Sequence, residues 1–87
     1  MMKIKYSENF RDTVKNLSPE AKKQLKKKLG IMIVNPRHPS LRSKKIKGTD
    51  YIFEASINMD IRITWQYISD GILLRNIGEH DQTLKNP

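Results

Sequence analysis

Hydrophobic and polar positions follow two rhythms along this chain, and the rhythm changes once. Phe10, Val14 and Leu17 recur at i, i+4 and i+7, which gathers them on one face of a helix that Ser7 is placed to cap. Ala21, Leu25, Leu29, Met32 and Ile33 continue at helical spacing behind Ser18-Pro19-Glu20. That triplet is a start signal: a capping hydroxyl, a proline whose fixed φ suits the first helical position, and an acid near the positive end of the helix dipole. Asn35-Pro36 ends the second helix, because proline disfavours helical backbone in the residue before it. Two helices joined at Leu17-Ser18 form a helical hairpin.

Period two frames the helices. Lys3-Ile4-Lys5-Tyr6 alternates ahead of them and reads as a short strand. After an ordered, proline-rich connection over residues 35–43, Lys44-Lys45-Ile46-Lys47 leads to a turn at Gly48-Thr49-Asp50. Tyr51, Phe53, Ala55 and Ile57 then alternate with Ile52, Glu54 and Ser56, up to a hairpin turn at Asn58-Met59-Asp60. Ile61, Ile63, Trp65 and Tyr67 alternate with Arg62, Thr64 and Gln66, and Ser69-Asp70-Gly71 turns the chain into Ile72–Ile77. The tail from Gly78 to Pro87 is polar and short. This order predicts an α+β fold: an N-terminal strand, a helical hairpin, then an antiparallel meander sheet packed on the helices, its other face open. With 87 residues, the chain reads as a single domain over 1–87.

Charge adds a partner class. The formal net charge is +8, and it is unevenly spread: residues 1–48 hold 14 Lys+Arg and 3 Asp+Glu, whereas residues 49–87 hold 3 and 6. Such an excess favours a polyanion or an acidic protein partner, through counterion release and steering; the alternative is plain solubility. There is no cysteine, so disulfide scaffolds, thiolate zinc sites and cysteine nucleophiles are excluded. No apolar run approaches the roughly 18 residues of a membrane span, and no signal-peptide core is present. The expectation is a cytoplasmic protein with no membrane partner.

Candidate chemistry is sparse. Gly-rich phosphate loops, paired metal-binding histidines and carboxylate clusters are missing, so neither a metal nor a cofactor is expected. Arg62 faces away from the apolar side of its strand. It is either a solvated arginine paired with Glu54 or a fixed guanidinium suited to phosphate. His80 follows the last strand, either as a surface histidine or as a proton-transfer group. Lys45 and Lys47 share one face of their strand and Lys44 takes the other; they either charge an edge strand against aggregation or clamp a phosphate beside Arg62. Lys22 to Lys28 read as a solvated helix face or a docking surface for an acidic partner. Tyr67 is a core-rim residue, or a base-stacking one if it is exposed.

The element order, with "NPRHPSLRSKKIKG", "DIRITWQYISDGILL" and the closing "IGEHDQTL", resembles the RelE/ParE superfamily of type II toxin–antitoxin toxins, on the RelE/YafQ-like mRNA interferase side. The resemblance spans nearly the whole chain. It implies a metal-independent endoribonuclease that cuts mRNA at the ribosome and is neutralised by a cognate antitoxin. It implies catalytic roles for Arg62 at the scissile phosphate, Lys45 and Lys47 in the basic strand region, and His80 at the end of the last strand. Lys44, Arg42 and Tyr67 become substrate contacts. Leu84 stands where some relatives carry an aromatic ring. The superfamily's other activity gives the alternative: a ParE-like inhibitor that binds DNA gyrase and cuts no RNA, or a degenerate toxin that only binds its antitoxin.

Overall fold

Capping fixes both helices. The Ser7 Oγ accepts from the Phe10 N–H and starts α1, Glu8–Val14; the Ser18 Oγ accepts from the Ala21 N–H and starts α2, Pro19–Val34. Asn35 ends α2, its N–H donating to the Ile31 carbonyl. A single 3₁₀ turn, Pro39–Leu41, orders the connection that follows, with His38 as its cap through Nδ1. Five strands complete the fold: β1 Lys3–Tyr6, β2 Lys44–Lys45, β3 Phe53–Ser56, β4 Ile61–Ile68 and β5 Gly71–Glu79. A last helix, α3, covers His80–Lys85. The structure is a computed structural model that describes residues 3–85 and 87, the side chain of His80 lying outside that description.

The sheet order is β1-β5-β4-β3-β2. The three meander pairings are antiparallel as expected, but β1 joins β5 in parallel, Lys3 opposite Gly71 and Tyr6 opposite Leu74. The sheet is therefore mixed: the two helices carry the chain across to β2 at the opposite edge, and three antiparallel reversals then bring β5 alongside β1 in the same direction. Phe53, Ala55, Ile63, Trp65, Ile72, Leu74 and Ile77 point to the helices and meet Phe10, Leu25 and Met32 in one core. Ile77 and Leu74 are three residues apart, an odd spacing that an unbroken strand would send to opposite faces. A bulge resolves this: Thr64 opposes Asn76 and Trp65 opposes Leu74, so Arg75 is the extra residue.

Two expectations need correction. The basic strand is only two residues long, since Ile46 and its neighbours belong to the turn that leads into β3. The sheet face away from the hairpin is not wholly open: α3 lies over β4 and β5, with Thr83 buried against Gly78, and the Thr64 hydroxyl donates to the Pro87 carbonyl.

Gly71 is required by the parallel pairing. A Cβ added there would lie 1.9 Å from the Lys3 carbonyl oxygen, a backbone atom that has no side-chain freedom with which to yield. Gly71→Ala is expected to push β1 off the sheet at a cost of about 2 kcal/mol. A lowered thermal midpoint, with faster amide exchange confined to β1 and the facing part of β5, would register this.

Candidate nucleic-acid interface

Register decides which basic residues face the same way. Lys44 pairs with Glu54, Glu54 with Thr64, Ser56 with Arg62 and Arg62 with Gly78. These residues share the sheet face away from the helical hairpin. Lys45 pairs with Phe53 and so shares the other face. Antiparallel β2 runs from Arg42, near Ser56 and Arg62, toward Lys47 at the opposite end of the sheet. The structure thus brings Arg42 and Arg62 together and separates Lys45 and Lys47 from them. Tyr67 is 44% exposed but sits on the hairpin side near Ile33 and Val34, its ring edge-on to Trp65 at 5.0 Å.

Lys44 and Arg62 have partners that the sequence did not assign correctly. Glu54 is buried, its side chain 7% exposed, and its Oε1 lies 3.8 Å from the Lys44 Nζ. Lys44 therefore compensates a buried carboxylate as well as carrying charge. Arg62 does not pair with Glu54, because the hairpin turn sets Ser56 opposite it. Instead its Nη1 donates to the carbonyls of Asn58, Met59 and Ile61 at 2.7, 3.2 and 3.3 Å. The turn is held in its own right by the Asn58 carboxamide oxygen, which accepts from the Asp60 and Ile61 N–H groups, each at 2.8 Å. One nitrogen of the guanidinium is thereby anchored, and Nε and Nη2 have no protein partner among the described residues.

A cleft of about 340 Å³ opens at this end of the sheet, lined by Arg62, Arg42, Ser56, Asn58, Ser40 and Lys28. Arg42 enters it from a left-handed backbone position, φ 50°, directly after the 3₁₀ turn. Lys28, which the sequence pattern puts on a solvated helix face or a docking surface, is half-buried and its Nζ donates to the Ser40 carbonyl at 3.0 Å. It sits one residue before Leu29, next to the apolar stripe, and that adjacency was the available signal. Glu79 opposes Ile61, so position 80 begins α3 at the same end of the sheet as Arg62. The His80 imidazole, the proposed proton-transfer group, lies outside the described residues. Among the described residues, no three His, Cys, Asp or Glu side chains are grouped to hold a metal ion, and no helix is long and apolar enough to cross a membrane.

No family model and no curated protein matches the sequence. Solved structures match its shape. A chain of the intact RelBE toxin–antitoxin complex of E. coli superposes with a TM-score of 0.75 at 19% identity, over 92% of this chain and 98% of that one. A chain of the archaeal RelE–RelB complex of Pyrococcus horikoshii OT3 gives 0.73 at 13% identity, over 90% and 93%. YafQ of E. coli strain BL21(DE3) gives 0.72 at 18% identity, over 94% and 97%. The chain has the fold of the RelE-type toxins, and the α+β reading of the sequence is borne out.

Proposed function

We propose that the protein is the toxin of a type II toxin–antitoxin pair and cleaves mRNA at the ribosome by a metal-independent route. The observation that carries this reading is the anchored Arg62 guanidinium beside Arg42, at the end of a RelE-type sheet where position 80 also falls. Chemically, RNA cleavage without a metal needs three things: a base for the 2′-OH, cations for the crowded phosphorane, and an acid for the leaving oxygen. The 2′-oxygen attacks phosphorus as its proton passes to the base. The bond to the 5′-oxygen breaks as that oxygen takes a proton, leaving a 2′,3′-cyclic phosphate and a 5′-hydroxyl. Arg62 supplies charge at the phosphate, with Arg42 next to it. His80 is the proposed proton carrier. DNA lacks the attacking hydroxyl and is no substrate for this route.

An antitoxin partner belongs to the same proposal. The α1–α2 side of the molecule has an apolar groove of about 530 Å³, lined by Phe10, Val14, Leu25 and Leu29, with Arg11 and Lys26 at its rim. Apolar lining with a basic rim suits an acidic amphipathic helix.

Primer extension on translated mRNA after brief induction tests the activity. New 5′ ends within coding regions, appearing while plasmid supercoiling is unchanged, are the expected result. Intact mRNA with relaxed plasmid and trapped DNA breaks would instead establish a gyrase inhibitor.

A further inference from the structure

Lys28, Arg42 and Arg62 come from α2, from the residue after the 3₁₀ turn, and from β4, yet they line one cleft. Resting on the nuclease reading, in which Arg62 and Arg42 already contact the substrate, we infer that Lys28 extends this cleft into a backbone-phosphate subsite and holds the RNA strand beside the nucleotide whose phosphate Arg62 contacts.

Three observations converge on it. The first is the sign of the charge. The lining residues include three cations and no acid; Asp60, although in the adjoining turn, is not among them. The second is fixed geometry. Lys28 is tethered through the Ser40 carbonyl, and Arg62 through three turn carbonyls. For Arg42 the left-handed backbone, whose N–H donates to the Pro39 carbonyl, fixes where the side chain starts, while the side chain itself is exposed. Cations placed in advance lose less side-chain freedom on binding than cations on free stems. The third is size. About 340 Å³ accommodates a phosphodiester with its sugar and is small for an intact peptide helix. The Ser40 and Ser56 hydroxyls at the same space are already engaged, with His38 Nδ1 and the Asn58 carbonyl, so the phosphate contacts fall to the cations. Contacts of this kind position a strand without reading its sequence, so the subsite adds affinity and register rather than base preference.

The test uses a short single-stranded RNA in which every 2′-OH is methylated, so that it binds without being cut. Its affinity is measured by fluorescence anisotropy from 50 to 200 mM salt for the wild type, Lys28→Gln, Arg42→Gln, Lys28→Arg and Lys15→Gln. Lys28→Gln and Arg42→Gln are each expected to weaken binding several-fold at low salt. Each is also expected to flatten the slope of log K against log salt by about 0.7, the value for one lost single-strand phosphate contact. Lys28→Arg restores both quantities. Lys15, exposed beside Asp12 and outside the lining of the cleft, sets the effect of losing a charge elsewhere. If the two cleft variants change no more than Lys15→Gln, the subsite is wrong even where the wild type cuts mRNA. If they lose affinity and slope while the wild type cuts no RNA, the subsite stands and the nuclease reading falls.

Discussion

Arg62→Ala is expected to lower mRNA cleavage by about 10²–10³-fold, the usual loss when one preorganised charge or donor at a reacting oxyanion is removed. Its hydrogen bonds run through Nη1 to Asn58, Met59 and Ile61, which leaves the other nitrogens of the fork for a substrate. The same anchoring explains why a second variant is needed. Alanine also removes three bonds from the β3–β4 turn, each worth about 0.5–1.5 kcal/mol, so the turn loosens as the charge is lost. Arg62→Lys keeps the charge but not the planar fork, and bidentate contact to phosphate depends on that fork. Cleavage by the lysine variant should therefore remain well below the wild type, while a 2′-O-methyl RNA still binds it better than it binds the alanine variant. Thermal unfolding of both variants separates the two effects. A midpoint within a few degrees of the wild type, with cleavage lost, places the effect at the phosphate. Cleavage that survives Arg62→Ala undiminished would remove Arg62 from the reaction.

The rhythm of the sequence carried the helices and the inward faces of the strands, because capping and periodicity act within a few residues. Ser7, Ser18-Pro19 and Asn35 start and stop helices where the pattern placed them, although α1 ends at Val14 and leaves Leu17 in the turn beyond it. What it did not carry was set by contacts between distant segments. Whether Lys44 or Lys45 looks toward Arg62 depends on how β2 registers against β3, and no local feature of Lys44-Lys45-Ile46-Lys47 specifies that pairing. The same holds for Arg62 opposite Ser56 rather than Glu54, a consequence of where the chain reverses between Ile57 and Asp60. Helix α3 lacked a signal for another reason. His80 to Lys85 is six residues with one strongly apolar side chain, Leu84, so its helical state rests on docking over Gly78 rather than on its own pattern. For Lys28 the sequence offers only its adjacency to Leu29; its place in the cleft depends on the 3₁₀ turn, 12 residues on, bringing the Ser40 carbonyl to its ammonium group.

The largest expected loss of stability is at Trp65, on the same strand as Arg62 but facing the helices. Its ring is fully buried, stacks on Phe53 with centroids 4.7 Å apart and 20° between planes, and receives the edge of Tyr67. Trp65→Ala leaves a cavity between the sheet and the hairpin and is expected to cost about 3–5 kcal/mol. For a domain whose total stability is about 5–15 kcal/mol, that is a large share. Trp65→Phe gives the useful contrast. The indole Nε1 is buried without a hydrogen-bond partner among the described residues, so phenylalanine gives up area but no hydrogen bond. Its cost should stay nearer 1 kcal/mol, and the stack on Phe53 should persist. Trp65 is the only tryptophan, so both variants lose the fluorescence probe and their urea midpoints are read by circular dichroism at the helix band. Arg62, the proposed phosphate contact, faces the other side of the strand. Below its lowered midpoint, Trp65→Ala should therefore cut mRNA in proportion to its folded fraction, whereas Arg62→Ala should fail while fully folded. A Trp65→Ala midpoint matching the wild type would mean that the ring does not centre this core; cleavage lost from a fully folded Trp65→Ala would mean that the two faces of β4 are coupled.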